Sequence, residues 1–176
     1  MRRAVFLDRD GVINRSVVRD GKPYPPSSVA ETEILPGVAD ALVSLRGAGY
    51  LLIVVTNQPD VVRGTTSKAA VEAINDHLNA HLALDEFRTC YHDSGDECDC
   101  RKPRPGSLLS AAAQHSIDLA RSYMVGDRWR DIEAGTRAGC KTIFIDYGYE
   151  EKQPESPDFT VTSLLEASKI ILREAL

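Results

Sequence analysis

Two carboxylates near the start of the chain, Asp8 and Asp10, have the types and spacing for metal-assisted chemistry. They follow a short apolar run at residues 4–7 and precede Gly11. Side chains two positions apart on an extended chain point to the same side, so the two charges would lie close together and need a counter-charge. A divalent cation with oxygen ligands supplies one, with Asp127 as a candidate third ligand. The alternative is that both aspartates are loop residues that cap nearby backbone groups.

Further polar side chains occur where other apolar runs end. Thr56 and Asn57 follow the run at residues 50–55. Asp127 follows another run at residues 122–125. Short apolar runs of this kind are typical of buried parallel strands. Because ligands bind at the carboxyl ends of the strands in an open parallel sheet, these side chains should converge with the aspartate pair.

A second cluster combines three of the four cysteines with one of the four histidines. Its members are Cys90, His92, Cys98 and Cys100. A Cys₃His set satisfies tetrahedral Zn²⁺, and a site closed by four protein ligands is typically structural. Such a site would shape the loop that carries Arg101 and Lys102, whereas the alternative is a group of free thiols in an exposed loop. Cys140, which enters a predicted strand, is expected to be a small core residue.

The composition indicates a globular chain with a small-molecule partner. Its 176 residues are 43% hydrophobic and 27% charged, which suits one core, and we expect a single domain over residues 1–176. A net charge of −5 argues against a general binder of nucleic acid or of acidic membranes. No run approaches the roughly 18 apolar residues of a membrane span, and the early charges do not match a signal peptide, so we expect a cytoplasmic protein. In the absence of heptads, we expect a monomer.

The elements that must position these residues are predicted to alternate between strand and helix. The predicted strands lie at residues 4–7, 50–55, 88–92, 122–125 and 142–145. The predicted helices lie at about residues 37–47, 67–84, 106–115, 132–138 and 164–176. This alternation predicts an α/β fold with a doubly wound, open parallel sheet and no separate cap domain. The remaining long segments, residues 14–35, 93–105 and 150–158, are predicted to be irregular.

Four motifs in this order resemble those of the haloacid dehalogenase (HAD) superfamily of phosphohydrolases. That superfamily has an aspartate pair after the first strand, a Ser or Thr after the second, a Lys, and a final acidic motif. The matching positions are Asp8 with Asp10, Thr56, Lys102, and Asp127 with Asp131.

The resemblance implies a role for each matching residue. Asp8 would be the nucleophile that forms an aspartyl-phosphate, and Asp10 would be the general acid and then the general base. Thr56 and Lys102 would bind the phosphoryl oxygens. Mg²⁺ would be held by Asp8, by the backbone carbonyl of Asp10 and by Asp127.

Two neighbouring residues have alternative interpretations. Asp131 could orient Lys102 or metal-bound water, or it could be an acid stabilised by the dipole at a helix start. Arg128 could touch the substrate, or it could be an exposed residue at the start of the same helix.

A longer set of residues resembles the zinc-containing histidinol-phosphate and heptose-bisphosphate phosphatase group. The matching stretches are residues 6–14, 55–58, 90–92, 98–103 and 126–128, and the resemblance runs from residue 4 to residue 146. The Asp-Arg-Asp-Gly-Val-Ile-Asn run favours the heptose-bisphosphate branch. That branch implies a sugar phosphate substrate, and removal of the C7 phosphate of D-glycero-D-manno-heptose 1,7-bisphosphate on the route to nucleotide-activated heptose and lipopolysaccharide. The implied substrate contacts are Ser16, Arg19, Asn57, Gln58 and Arg101.

One stretch departs from that group. Residues 59–64 replace its usual small turn, and Asp60 places a negative charge where an anionic substrate would approach. The departure weakens the substrate assignment but leaves the phosphatase prediction in place.

Two other functions remain open at this stage. Histidinol-phosphate phosphatase shares the motifs and the zinc loop. A zinc-stabilised binding module or phospho-acceptor regulator would also place aspartates beside Mg²⁺. A phospho-acceptor, however, has no use for an acid and base two residues after its acceptor, so Asp10 together with Lys102 favours turnover.

Overall fold

The computed structural model describes residues 1–175. Eight strands are present in this part of the chain: β1 (Arg3–Leu7), β2 (Val17–Arg19), β3 (Lys22–Tyr24), β4 (Tyr50–Asn57), β5 (Glu86–Cys90), β6 (Tyr123–Gly126), β7 (Lys141–Ile145) and β8 (Phe159–Val161). Six of them form one parallel sheet in the order β5-β4-β1-β6-β7-β8. The open parallel sheet predicted from the sequence is therefore confirmed.

Five α-helices cover the two faces of this sheet. They are α1 (Val38–Gly47), α2 (Lys68–His81), α3 (Gly106–His115), α4 (Trp129–Ala138) and α5 (Leu164–Glu174). Side chains of β1 alternate between two cores, because Val5 and Leu7 pack with α1, α2 and α5, whereas Ala4 and Phe6 pack with α3. Burial of both faces explains why the strands are continuous apolar runs.

Several boundaries differ from the sequence-based predictions. The strand predicted at residues 88–92 is β5, which begins two residues earlier, and the helix predicted at residues 132–138 begins at Trp129. The three-residue strand β8 and the antiparallel hairpin of β2 and β3 were not predicted. Elements this short bury too few side chains to give a periodic signal. Helix α5 ends at Glu174, and Leu176, which the prediction included, lies outside the described residues.

Between β1 and α1, the described residues form only the small hairpin of β2 and β3 and the short 3₁₀ helix Val29–Glu31, with no insertion of domain size. Among residues 1–175, no helix has the length and apolar character needed to cross a membrane.

Candidate active site and metal centres

The site lies where β1, β4 and β6 end beside one another. The order of the sheet makes β1 the neighbour of both β4 and β6, and Asp8 N continues the pairing by donating to Val125 O at 3.0 Å. The residues that follow these strand ends are therefore brought to one edge. A cleft of about 300 Å³ opens over Asp8, Asp10 and Asp127.

Lys102 is the charged centre of the site and is only 2% exposed. Its ammonium donates to Asp8 Oδ1 at 2.8 Å and to Val55 O at 2.6 Å, and it lies 2.7 Å from Asp131 Oδ1. An ammonium group has three donors, so all of them are engaged. Burial favours the neutral amine, but the charges of Asp131 and Asp8 outweigh it and raise the pKa of Lys102 above its ordinary value.

Asp131 performs two functions that the sequence presented as alternatives. Its Oδ1 faces Lys102, and its Oδ2 accepts a hydrogen bond from Arg128 N at 3.0 Å, as in a capping box at the start of α4. The carboxylate therefore orients the lysine and also satisfies the first turn of the helix.

Three buried carboxylates, those of Asp8, Asp127 and Asp131, each bring one oxygen to within 4.8 Å of the others. Burial and the charge of Asp131 raise the pKa of Asp8 to about 6. Burial and the charge of Asp8 also raise the pKa of Asp127. In addition, Asp127 Oδ1 is buried and has no hydrogen-bond partner. Crowded carboxylates with an unpartnered oxygen suit a hard divalent cation, so these residues fit Mg²⁺.

The carboxylate of Asp10 is held by three side chains. Asn14 Nδ2 donates to Oδ1 and Gln58 Nε2 donates to Oδ2, each at 2.9 Å, and Arg9 donates to both oxygens at 3.2–3.3 Å. Arg9 is completely buried, and its Nη1 also donates to Asn75 Oδ1 at 2.9 Å. Sequence reasoning gave no role to Arg9, Asn14 or Asn75, although Arg9 lies between the two aspartates and Asn14 lies four residues after Asp10.

The polar residues at and just after the end of β4 are bonded to other residues of the site. Thr56 Oγ1 accepts from Gln58 Nε2 at 2.9 Å, so Gln58 connects the threonine to Asp10. Gln58 is 1% exposed and does not line the cleft. Asn57 does line the cleft, but both of its amide atoms bond to the backbone of Lys102. Both residues were predicted to contact substrate; Gln58 instead bonds to the side chains of Asp10 and Thr56, and Asn57 to the backbone of Lys102.

The Cys/His cluster forms a second centre, which begins where β5 ends at Cys90. The four potential ligand atoms lie within 4.8 Å of one another, with His92 Nδ1 at 3.5 Å from Cys90 Sγ and 3.3 Å from Cys100 Sγ. All four cysteines are free thiols. Three thiols and an imidazole at this separation fit Zn²⁺. Cys140 is buried in the α3-side core, where burial raises the pKa of its thiol to about 12.

The cations around the cleft differ in whether they are already paired. Arg128 is paired with Glu151, and Arg63 binds Asp93 through two nitrogens at 2.6 and 2.7 Å. Among residues 1–175, Lys22 and Arg130 line the cleft without a carboxylate within 4.0 Å. Burial and the neighbouring Arg128 lower the pKa of Arg130, which marks a crowded positive site.

Three further predicted contacts have different surroundings. Ser16 lines the cleft, as does Arg101, whose Nη1 donates to His92 O at 3.1 Å. Arg19 does not line the cleft. This residue is exposed, and its guanidinium lies 5.6 Å from the centre of the Tyr24 ring. Asp60, the departure noted in the sequence, lines the cleft and lies 3.4 Å from Arg63, the same arginine that binds Asp93.

Two tyrosines after β7 reach the site and were not predicted. Tyr149 donates to Asp127 Oδ2 at 2.8 Å, and Tyr147 donates to Gly11 O at 2.9 Å. Burial and the Asp127 carboxylate raise the pKa of Tyr149, so its phenol stays protonated and can donate. Nothing in the local sequence marks these residues, since they lie in an apparently irregular segment far from the motifs.

Known proteins resemble this chain in sequence and in structure. The HAD-hydrolase-like family model matches residues 99–167. The D-glycero-β-D-manno-heptose-1,7-bisphosphate 7-phosphatase of Escherichia coli strain K12 is 36% identical, and the match covers 97% of this chain and 94% of the relative. The phosphatase of the same name from Salmonella typhi is 40% identical over 79% of this chain and 77% of its own.

A solved structure of a heptose-bisphosphate phosphatase also resembles this chain. The D,D-heptose 1,7-bisphosphate phosphatase from B. bronchiseptica, complexed with magnesium and phosphate, superimposes with a TM-score of 0.80 at 30% identity. The match covers 98% of this chain and 99% of that one. Taken with the aspartates and lysine at the sheet edge, this similarity over nearly the whole length places the chain in the HAD phosphatases, in the family of the heptose-1,7-bisphosphate 7-phosphatases.

Proposed function

We propose that the protein is a Mg²⁺-dependent phosphatase that removes the C7 phosphate of D-glycero-D-manno-heptose 1,7-bisphosphate through an aspartyl-phosphate on Asp8. One observation carries the chemistry: Asp8 lies under an open cleft, hydrogen-bonded to the buried Lys102 at 2.8 Å, with Asp10 held in place two residues away. The names of the relatives support the substrate and specify its β anomer.

The proposed reaction has two steps. An oxygen of Asp8 attacks phosphorus, the bond between phosphorus and the C7 oxygen breaks, and Asp10 gives its proton to the departing alcohol. Asp10 then takes a proton from a water molecule that attacks the aspartyl-phosphate, which releases inorganic phosphate and restores Asp8. The hydrogen bonds from Asn14 and Gln58 keep the Asp10 carboxyl in one position for both transfers.

Mg²⁺ would be held by Asp8, the backbone carbonyl of Asp10 and Asp127, and it would supply positive charge that offsets the charge of the phosphoryl group. Thr56 and Lys102 would bind phosphoryl oxygens. The buried, ion-paired lysine is a fixed charge at the reacting centre, which is the kind of preorganised group that stabilises phosphoryl transfer.

Zn²⁺ in the Cys/His cluster would have a structural role. Cys100 directly precedes Arg101 and Lys102, so a metal bound at Cys100 restricts the backbone that presents both side chains. Asn57 holds the same stretch from the other side through its bonds to the Lys102 backbone.

The second phosphate of the substrate would bind to the unpaired cations of the cleft. Lys22 and Arg130 have no carboxylate partner among the described residues, and Arg101 lies 4.0 Å from Asp93. Arg128, which the sequence suggested could touch the substrate, also lines the cleft but is paired with Glu151. The single domain, the monomeric state and the cytoplasmic location stay predictions.

The decisive experiment measures phosphate release, with Mg²⁺ present, from both anomers of the heptose bisphosphate, from histidinol phosphate and from fructose 1,6-bisphosphate. The carbon that loses phosphate is identified in each product. We expect kcat/KM for one heptose anomer to exceed that for the other compounds at least about 100-fold, which corresponds to about 2.7 kcal/mol of selective transition-state binding. Comparable slow rates on all four compounds would overturn the substrate assignment, and a preference for histidinol phosphate would replace it.

A further inference from the structure

The two oxygens of the Asp127 carboxylate have different surroundings. Oδ2 accepts a hydrogen bond from the phenol of Tyr149 at 2.8 Å, whereas Oδ1 is buried and has no hydrogen-bond partner. We infer that Tyr149 is a positioning residue that fixes Asp127 by its Oδ2 and reserves Oδ1 for the divalent cation. This inference rests on the Mg²⁺ dependence in the proposed function and is independent of the sugar.

Gly11 lies against the same carboxylate oxygen that accepts from Tyr149. A Cβ atom built at this glycine would lie 1.9 Å from Asp127 Oδ2, and the φ of 87° is a conformation that favours glycine. The carboxylate therefore packs directly on the backbone of the loop that carries Asp8 and Asp10. Gly11 and the Tyr149 hydroxyl thus both contact Oδ2, which leaves Oδ1 as the oxygen without a partner.

Tyr149 is itself held in place. Its ring stacks on that of Tyr147 with centroids 5.5 Å apart, a contact between rings that does not need the Tyr147 hydroxyl. The next two residues add contacts, because Glu150 N donates to Gly21 O at 2.9 Å and Glu151 pairs with Arg128. A donor on a segment fixed at this many points can orient a carboxylate.

Loss of the Tyr149 hydroxyl should weaken the binding of Mg²⁺. A carboxylate without its outer hydrogen bond can rotate and can present either oxygen, and partners of this kind typically change metal affinity or activity 10–100-fold when they are removed. The carboxylate charge remains, so Mg²⁺ binding is weakened and not abolished.

The test compares Tyr149→Phe with Tyr147→Phe. Each variant loses one phenol hydroxyl from the same segment, but only the first loses a bond to a carboxylate. Mg²⁺ is titrated into the metal-free protein by calorimetry. We expect the Mg²⁺ Kd to rise about tenfold in Tyr149→Phe and to stay within about twofold of the unmodified protein in Tyr147→Phe.

A second readout uses hydrolysis of p-nitrophenyl phosphate as a function of Mg²⁺ concentration. For Tyr149→Phe, we expect the half-activating Mg²⁺ concentration to rise by the same factor as Kd, while kcat at saturating Mg²⁺ stays within about threefold. The thermal midpoint of the metal-free protein should not fall, which separates positioning from a general loss of folding.

Several outcomes would overturn the inference: a Kd unchanged in Tyr149→Phe, an equal rise in both variants, a large loss of kcat that Mg²⁺ does not restore, or no Mg²⁺ binding by the unmodified protein. A protein that shows the expected pattern with Mg²⁺ but no preference for the heptose bisphosphate would lose the substrate assignment and keep the role of Tyr149.

Discussion

The side-chain amide of Asn57 forms hydrogen bonds with both backbone groups of Lys102. Asn57 Oδ1 accepts from Lys102 N at 3.1 Å, and Asn57 Nδ2 donates to Lys102 O at 3.0 Å. The end of β4 thereby fixes the backbone of a residue 45 positions further along the chain. This connection places the lysine against Asp8 without relying on the loop alone.

Replacement of Asn57 by Asp should disturb this connection, because the carboxylate cannot donate to Lys102 O. We expect kcat/KM to fall about 100-fold, since small displacements of a catalytic group have effects of this size. The measurement is steady-state kinetics beside a thermal melt. An unchanged kcat/KM in a folded variant would show that the Cys/His loop places Lys102 unaided.

Asp8→Asn keeps the shape of the side chain and removes the nucleophile. We expect kcat to fall at least about 1,000-fold in preparations free of contaminating phosphatase, and no covalent phosphate to be trapped on the protein. Retention of more than a few percent of the turnover would rule out the aspartyl-phosphate mechanism.

Binding of Mg²⁺ should depend on pH through Asp8. The folded metal-free protein raises the pKa of this carboxyl from 3.8 to about 6, so folding favours the protonated form. The associated stability is fully present below pH about 4 and is lost as the pH rises through about 6. Protons then compete with the cation at low pH. We expect the rise in thermal midpoint caused by Mg²⁺ to be larger at pH about 7.5 than at pH about 5, and an equal rise at both values would contradict the assignment of Asp8 as a ligand.

Removal of zinc should unfold the Cys/His loop. We expect a zinc-selective chelator to lower the thermal midpoint by about 10 °C or more, since loss of several kcal/mol shifts a chain of this size by about 2–4 °C per kcal/mol. Added Zn²⁺ should restore the midpoint and Mg²⁺ should not. The matched pair is Cys98→Ser, expected to lose bound zinc, and Cys140→Ser, expected to keep one zinc per chain by metal analysis.

Arg130→Gln tests the binding of the second phosphate. We expect KM for the bisphosphate to rise about tenfold or more, because a hydrogen bond to a charged group contributes about 1.5–3 kcal/mol, while a sugar monophosphate is hydrolysed as before. Arg19→Gln is the control, since this side chain is exposed and outside the cleft. Equal effects of the two variants would indicate a general electrostatic contribution and not a specific contact.

The parts of the site that the sequence predicts are those with a local signal. Asp8, Thr56 and Asp127 are recognisable because a polar residue follows an apolar run, and the topology of an open parallel sheet then brings such residues together. The Cys/His cluster is recognisable from its spacing alone.

The remaining contacts depend on pairs that are distant in sequence. Arg9 is fully buried, although arginine is usually exposed, and its burial is understandable only when Asp10 and Asn75 are seen beside it. The pairing of Arg128 with Glu151 likewise joins residues 23 positions apart. No periodicity or motif encodes such contacts, because they arise when separate loops meet at the sheet edge.

The complete engagement of the Lys102 ammonium has a consequence for product release. With its three donors on Asp8, Val55 and Asp131, the lysine can bind a phosphoryl oxygen only by giving up an existing acceptor. When inorganic phosphate leaves, the ammonium bonds again to that acceptor. The acceptor and the phosphate therefore compete for the same N–H donor of Lys102. We expect free phosphate to be a weak inhibitor for this reason, and the enzyme to sustain turnover as phosphate accumulates.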